Sequence, residues 1–229
     1  VSGLLSVADA IETKIADSSV SGIEDGFTVT GKPESGEVSD VNVNIAGGFL
    51  GISASTKTVN CRVDKLRSVS TDTQSGIAGG FAAQSMASSL ADITDEGVQA
   101  PGIADINGLV NAVNYLVPKY TGCQVSFVSN SGDAQVTGNI AGGFAGDFQS
   151  GAVNKLEEDE NLPEGYDGYA VKGLEKVEGR SYAGGFGGSV YTGGLADAGG
   201  LDLLGGLVQA GVGNLVRGLG GYGPYIYDA

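Results

Sequence analysis

The tetrapeptide Ala-Gly-Gly-Phe occurs four times in the chain, and this repeat limits the available folds more than any other feature. The copies occupy residues 46–49, 78–81, 141–144 and 183–186. Three follow an isoleucine and the fourth follows Tyr182. We interpret each copy as a short strand, a glycine bend and a second strand. A phosphate-binding loop would need Lys-Ser, Lys-Thr or a helix start after the glycines, where this chain has Phe. The repeat therefore indicates architecture rather than an active site.

The copies are spaced unevenly because two kinds of unit alternate. Apolar residues recur three and four positions apart before the first and third copies, which predicts amphipathic helices over 4–15 and 106–117, with a third near 203–216. The second and fourth copies are preceded instead by segments 61–69 and 169–177, which match each other, and no helix is predicted in these two units. We divide the chain into one continuous array with units at 1–56, 57–102, 103–153, 154–200 and 201–229. This is an array segment of a longer protein rather than a closed domain.

Units of this kind become stable by stacking, because each alone leaves an apolar face uncovered. The sequence predicts a mostly β fold, a parallel β-helix or β-solenoid with amphipathic helical inserts; a β-sandwich-type array is the alternative. In the stacked arrangement like residues lie over like and form two internal ladders. The alanine ladder is Ala46, Ala78, Ala141 and Ala183, and the phenylalanine ladder is Phe49, Phe81, Phe144 and Phe186.

Charge and composition exclude several functions. The formal net charge is -15, which opposes binding to nucleic acid because that affinity comes from Lys and Arg. The chain has no histidine, which excludes Ser-His-Asp hydrolases and most zinc sites. The apolar stretch at 203–216 is too short and too polar to cross a bilayer, so we expect no membrane insertion in this segment.

The two cysteines, Cys61 and Cys123, precede the second and third tetrapeptides by nearly equal distances. Stacking would place them side by side. We therefore predict a disulfide between them under oxidising conditions, with two buried free thiols as the alternative. Neither is expected to be a catalytic nucleophile, because no histidine can activate it.

Acidic clusters around 92–105 and 157–167 are interpreted as solvated loops. Neither has the spacing of a known calcium loop, so we predict no cofactor, with calcium as a minority alternative. A carbohydrate-active β-helix enzyme is the alternative function, and it would need paired carboxylates in a groove. The candidates lie on one strand type and are equally consistent with an exposed charged face: Asp64, Lys65 and Arg67, with their counterparts Lys172, Glu175 and Lys176. No catalytic or metal-ligating residue is assigned. Nine tyrosines, most of them in the second half of the chain, suggest a surface that meets sugar or protein.

The recurring Ile/Tyr-Ala-Gly-Gly-Phe pattern, as at 139–146 and 182–188, resembles the glycine-rich repeats of large wall-anchored surface proteins and adhesins of Gram-positive bacteria. The resemblance implies a secreted stalk or adhesin at the cell surface, anchored through regions outside this segment. It implies a solenoid fold and a partner such as a host glycan, a host protein or another surface protein. It transfers no catalytic residue, so we expect the protein not to be an enzyme.

Overall fold

The computed structural model describes residues 13–32, 44–86, 117–128, 132–156, 161–191 and 224–227. The fold of these residues is mostly β: they form eighteen strands, and none of them is helical. One of the sheets is strongly curled.

The strands recur in tiers, a tier being one passage of the chain through three sheets. The first tier holds β1 (Thr13–Ala16), β2 (Ser19–Ser21), β3 (Phe27–Thr30), β4 (Ile45–Gly47) and β5 (Leu50–Ala54). The second holds β6 (Thr56–Val59), β7 (Arg62–Ser70), β8 (Ile77–Gly79) and β9 (Ala82–Met86). The third holds β10 (Lys119–Thr121), β11 (Gln124–Phe127), β12 (Gln135–Gly142) and β13 (Ala145–Phe148). The fourth holds β14 (Ala152–Val153), β15 (Val171–Lys172), β16 (Lys176–Gly184) and β17 (Gly187–Val190), and β18 (Tyr225–Ile226) follows.

Each sheet is built from equivalent strands of successive tiers. Sheet A has the order β1-β6-β10-β14-β18, and sheet C has the order β17-β13-β9-β5. The remaining strands form sheet B, in which β2, β3 and β11 pair with β7, and β12 pairs with β7, β8 and β16. Within the described residues every pairing is parallel and joins neighbouring tiers. Each tier is thus held by the tiers next to it in the chain.

The register places chemically similar residues over one another. Val69 and Val177, which are 108 positions apart in the sequence, both pair with Val136. Val29 pairs with Val69 and extends the same column. In such a column each valine buries its branched side chain against the next, so the match between segments 61–69 and 169–177 reflects shared contacts in the core.

A bulge in sheet B keeps the core residues of β7 on one face. Val63 and Leu66 are both fully buried although they are three positions apart, a spacing that would put them on opposite faces of a regular strand. Lys65 between them has a φ of 57°, and the register with β11 shifts at this point. The extra residue resets the alternation, so Leu66 returns to the interior.

The corners between sheets A and B use residues that tolerate left-handed backbone. Asp17 and Asn60 have φ values of 50° and 51°, and the Asn60 amide donates a hydrogen bond of 2.7 Å to the Asp17 carboxylate. Asn154 also has a positive φ, and its Oδ1 accepts from the backbone N–H of Gly122 at 2.9 Å. Asn, Asp and Gly reach this conformation at low cost, so each tier turns at the same point of its path.

The helical inserts expected from the sequence lie mostly outside the described residues: 4–12, 106–116 and 203–216 all do. Where the expectation can be compared, it is wrong for Ile15, which lies in β1 rather than in a helix. The β-branched Thr13 and Ile15 favour a strand, and they pair with Thr56 and Thr58 of β6. Val117, the last residue of the second expected helix, lies in a bend.

Candidate functional site

The most regular feature of the interior is the phenylalanine file, which consists of Phe49, Phe81, Phe144 and Phe186. Adjacent rings are stacked, with centroids 5.0, 4.9 and 5.1 Å apart along the file. The rings of Phe81 and Phe144 are nearly parallel, with an interplanar angle of 1°. The spacing follows from parallel strands that lie about 4.8 Å apart, so the rings stack because the backbones do.

The alanines of the tetrapeptides form a second column. Ala46 and Ala141 both pair with Ala78, and Ala141 pairs with Ala183. The first three are buried and Ala183 is exposed. The structure therefore brings together all eight residues of the two expected ladders, but the fourth tier covers its members less than the inner tiers do.

The second glycine of each tetrapeptide is required by the close approach of the next tier. A Cβ atom on Gly143 would lie 2.0 Å from the carbonyl oxygen of Gly185, and one on Gly80 would lie 2.0 Å from that of Gly143. No side chain fits at these distances. At Gly185 an added Cβ would meet no atom of the described residues within 4 Å. Three of these four glycines are therefore set by stacking, and the fourth lies where no tier follows among the described residues.

Tyr120, which lies in sheet A, packs against the phenylalanine file. Its ring meets Phe81 and Phe144 edge-on, with centroids 6.0 and 5.5 Å away. Its hydroxyl donates to Ser85 Oγ at 3.0 Å, and Ser85 in turn donates to the carbonyl of Ser150 at 2.7 Å. Burial raises the pKa of the Tyr120 hydroxyl to about 12. The buried hydroxyl is therefore neutral at ordinary pH, and its hydrogen bond to Ser85 joins sheet A to sheet C.

Cys61 and Cys123 lie side by side in successive tiers, immediately before the paired residues Arg62 and Gln124. Both are fully buried, and both are free thiols. The disulfide expected from the sequence is absent. Instead the Cys61 thiol contacts the carbonyl of Val59 at 3.3 Å, and the Cys123 thiol contacts that of Thr58 at 3.4 Å. Backbone acceptors thus satisfy both S–H groups in the reduced state.

The two thiols differ in their acidity. A hydrogen bond from Cys123 lowers the pKa of Cys61 to about 7, against the opposing effect of burial. Burial raises the pKa of Cys123 well above its ordinary value. Because the two groups share a hydrogen bond, the pair loses its first proton from Cys61. Cys61 is therefore the more acidic of the two thiols, and solvent does not reach its sulfur.

A column of lysines on sheet A was not recognised in the sequence. Lys57 pairs with Lys14 on one side and with Lys119 on the other. The column continues through Ala152 to Tyr225, whose ring lies 4.0 Å from the Lys155 ammonium. Each of the three lysines has an interaction partner within the chain. The lysines are 43 and 62 positions apart in the sequence, and the register needed to align them is visible only once the strands are paired.

Asp147 is the most buried carboxylate among the described residues. It lies in sheet C between Gln84 and Ser189. Ser189 donates to it at 2.5 Å, Gln149 at 2.7 Å and Gln84 at 3.3 Å. Three donors from three strand regions satisfy both carboxylate oxygens, so Asp147 links neighbouring tiers.

The charged residues considered as members of a sugar-cleaving groove are directed into local contacts. Arg67 donates to the backbone carbonyl of Asp25, and Lys172 forms an ion pair of 3.4 Å with Asp167. Lys176 forms an ion pair of 2.6 Å with Glu178 on the exposed surface of β16. These pairs are typical of a solvated strand face and do not form the convergent pair of carboxylates that glycoside hydrolysis needs.

Exposed tyrosines are concentrated in the fourth tier and after it. Four of them have half or nearly half of their surface in solvent: Tyr169, Tyr182, Tyr191 and Tyr227. Tyr182 continues the column of Ile45, Ile77 and Ile140 and replaces an aliphatic side chain by an aromatic one. This end of the molecule thus presents aromatic surface of the kind found where proteins meet partners.

The described residues contain no cluster of three or more potential metal ligands. The acidic residues at 92–105 and 157–160, considered for calcium, lie outside these residues. Within the described ranges no helix is long and apolar enough to span a membrane. Comparisons of the chain with models of protein families, with curated proteins and with solved structures found no match.

Proposed function

We propose that the chain is a segment of an extracellular stalk of a bacterial surface protein, built as a parallel β-solenoid. It is non-enzymatic and extends or presents a binding region to host or neighbouring cells. Its partner is a host glycan, a host protein or another surface protein, and regions outside this segment anchor it to the cell wall.

The phenylalanine file is the observation that carries this proposal. Four rings from four tiers stack at about 5 Å, which requires successive tiers to have the same path and the same register. An array of this kind is extended by adding tiers at its ends. The all-parallel pairing favours a solenoid over a β-sandwich, whose sheets are antiparallel. A stack that grows along one axis is suited to spacing a binding region away from a surface.

The interior supports a structural role rather than catalysis. Tyr120 donates to Ser85, and Ser85 donates to a backbone carbonyl. The carboxylate of Asp147 accepts from Ser189 of the next tier, so these buried polar groups connect sheets or tiers. The glycine pairs of the tetrapeptides could be mistaken for a ligand-binding loop, but the close approach of neighbouring tiers explains them.

Tandem duplication tests the architecture. Residues 61–168 span two tiers, and residue 169 follows at the phase of residue 61 in the repeat, so additional copies inserted after residue 168 preserve the pattern. Three added copies supply six tiers and should lengthen the molecule by about 30 Å at ~4.8 Å per tier, with an unchanged cross-section. Small-angle X-ray scattering measures both dimensions. Growth of the cross-section in proportion to the length would contradict a solenoid.

Location is tested separately. Antibodies raised against the folded protein should label intact, unpermeabilised cells of the source organism, and brief protease treatment of those cells should remove the signal. Labelling seen only after permeabilisation would overturn the proposed surface role and leave the architecture untouched.

A further inference from the structure

In sheets B and C the two ends of the stack have open strand edges, whereas in sheet A the edge of β14 is already paired with β18. At one end β16 and β17 pair with β12 and β13, and among the described residues neither pairs with a strand on its other side. At the other end β4 and β5 pair only with β8 and β9 within the same residues. Each edge presents backbone N–H and C=O groups in an extended conformation that accepts another parallel strand.

Side-chain burial shows that the fourth-tier edge is exposed to solvent. Tyr182 is 59% exposed and Ala183 is also exposed, whereas Ala78 and Ala141 at the same position of inner tiers are fully buried. In the phenylalanine file the two inner rings are fully buried and the two outer ones, Phe49 and Phe186, only partly. The file thus ends at each side on a ring that a further phenylalanine would cover.

The open edges are complementary to each other, because both belong to the same repeat. Three interfaces inside the chain already join one Ala-Gly-Gly-Phe tier to the next in the same register. The first tier carries on β3 to β5 the residues that a tier following β16 and β17 would need. Val29 would lie over Val177, Ala46 over Ala183 and Phe49 over Phe186.

We propose that the partner of the exposed fourth-tier edge is the first tier of a second copy of this chain. The copies join head to tail, and in sheets B and C each junction repeats the interface already present between tiers. In sheet A, β1 of the second copy takes the place of the two-residue β18 beside β14. This contact uses different surfaces on the two copies, so it does not close on itself and produces an open series of oligomers. The inference rests on the stacked architecture of the proposed function and is independent of the adhesive role.

Charge opposes this association and sets the conditions for observing it. Each copy carries a formal net charge of -15, so copies repel at low ionic strength. Salt screens this repulsion and leaves the short-range contacts of the strands and rings intact. Association should therefore be stronger in 0.5 M NaCl than in dilute buffer.

Gly185 provides a variant that separates association from folding. A Cβ on Gly143 would strike the carbonyl of the next tier, whereas a Cβ on Gly185 meets no atom of the described residues within 4 Å. In the proposed junction the carbonyl of Gly48 of the second copy occupies that position. Gly185→Ala should therefore leave the melting temperature unchanged and reduce association at least tenfold. Ser75→Ala is the control, because Ser75 is exposed between β7 and β8 of the second tier and lies at neither end of the stack.

Sedimentation equilibrium between 10 and 500 µM in 0.5 M NaCl measures the association. The wild type and Ser75→Ala should show average masses that rise with concentration beyond the dimer, and Gly185→Ala should remain a monomer. A wild type that stays monomeric throughout overturns the proposal, as does a dimer that grows no further or a Gly185→Ala variant that associates normally. Failure here with successful lengthening by tandem duplication would leave the proposed function standing.

The register is tested by mixing two variants in a Cys61→Ser, Cys123→Ser background, one with Ile45→Cys and the other with Tyr182→Cys. The proposed junction brings these two positions next to each other. Oxidation should give disulfide-linked dimers in the mixture and no cross-link in either variant alone, as read by gel electrophoresis under denaturing, non-reducing conditions. A mixture that does not cross-link under conditions where the wild type associates would overturn the proposed register.

Discussion

Identical residues in this protein contribute differently to the free energy of unfolding, according to the tier in which they lie. Phe81 lies between two other rings and is fully buried, whereas Phe186 has a ring neighbour on one side of the file and is only partly buried. The chemistry of the residue and its neighbours in the tetrapeptide is the same in both cases. What differs is the number of tiers in contact with it.

Phe81→Ala should lower the free energy of unfolding by about 3–5 kcal/mol, since it removes a buried ring and leaves a cavity between two others. Phe186→Ala, the matched control, should cost less than half as much because that ring is partly solvated. Urea unfolding followed by circular dichroism measures both. Equal losses would contradict the view that depth in the stack sets the contribution of each ring.

Tyr120 should make stability depend on alkaline pH. Its pKa is raised to about 12 in the folded protein from an ordinary value of 10.0. Below pH 10 both folded and unfolded states hold the proton, and its contribution is fully present. Between pH 10 and 12 only the unfolded state loses the proton, so stability should fall by up to ~1.4 kcal/mol per pH unit.

The measurement is the difference between wild type and Tyr120→Phe in urea unfolding from pH 8 to 12. The variant starts less stable because it loses the hydrogen bond to Ser85, and the gap should narrow above pH 10. A constant gap for Tyr120→Phe would refute the assignment.

The thiols should be present but protected. Ellman's reagent should detect both sulfhydryls in protein unfolded without reductant, and almost none in the native protein, because Cys61 and Cys123 are fully buried. Detection of no thiol in the unfolded, unreduced protein would show that a disulfide forms in solution. Cys123→Ser serves as the control that should yield one thiol under the same conditions.

At the scale of elements, the bends between strands depend on neighbouring tiers rather than on their own sequence. Gly143→Ala should destabilise the fold by about 1–3 kcal/mol or more, because its Cβ would lie 2.0 Å from a backbone carbonyl. Gly185→Ala changes the same position of the repeat and should stay within about 0.5 kcal/mol of the wild type. Thermal unfolding of the two variants measures the contrast. Similar losses would mean that conformational freedom, and not close approach, selects glycine.

The strands around the tetrapeptide could be predicted because the same four residues recur in each tier. Several other features could not be predicted. The sequence alone indicated columns of like residues, through the tetrapeptide and through the match between segments 61–69 and 169–177. Ile15 was misplaced because its spacing of four from Ile11 fits a helix, whereas its pairing with Thr58 of β6 cannot be read from the sequence. The lysine column was missed because its members lie in strands of three and four residues, too short to show a period. Short elements take their structure from their partners.

At the scale of the whole molecule, the net negative charge is the main factor that opposes the stability of the fold. Acidic residues outnumber basic ones by 27 to 12. Raising NaCl from 10 mM to 0.5 M shortens the Debye length from about 30 Å to ~4 Å, so the melting temperature should rise. Calorimetry on the Gly185→Ala variant keeps association from contributing. Choline chloride should have the same effect, and a chelator should have none. A much larger rise with millimolar calcium than with equal ionic strength of NaCl would indicate a calcium site instead.

The parallel pairing of every tier with its neighbours also determines how the protein would respond to tension. Because a tier is held along its path only by the tiers on either side, a pull on the chain ends would detach the outermost tier first and leave the rest intact. Each detachment would release a length of slack and absorb work, and the tier could re-form when the load fell. A tether of this kind would yield in steps under flow instead of breaking at once.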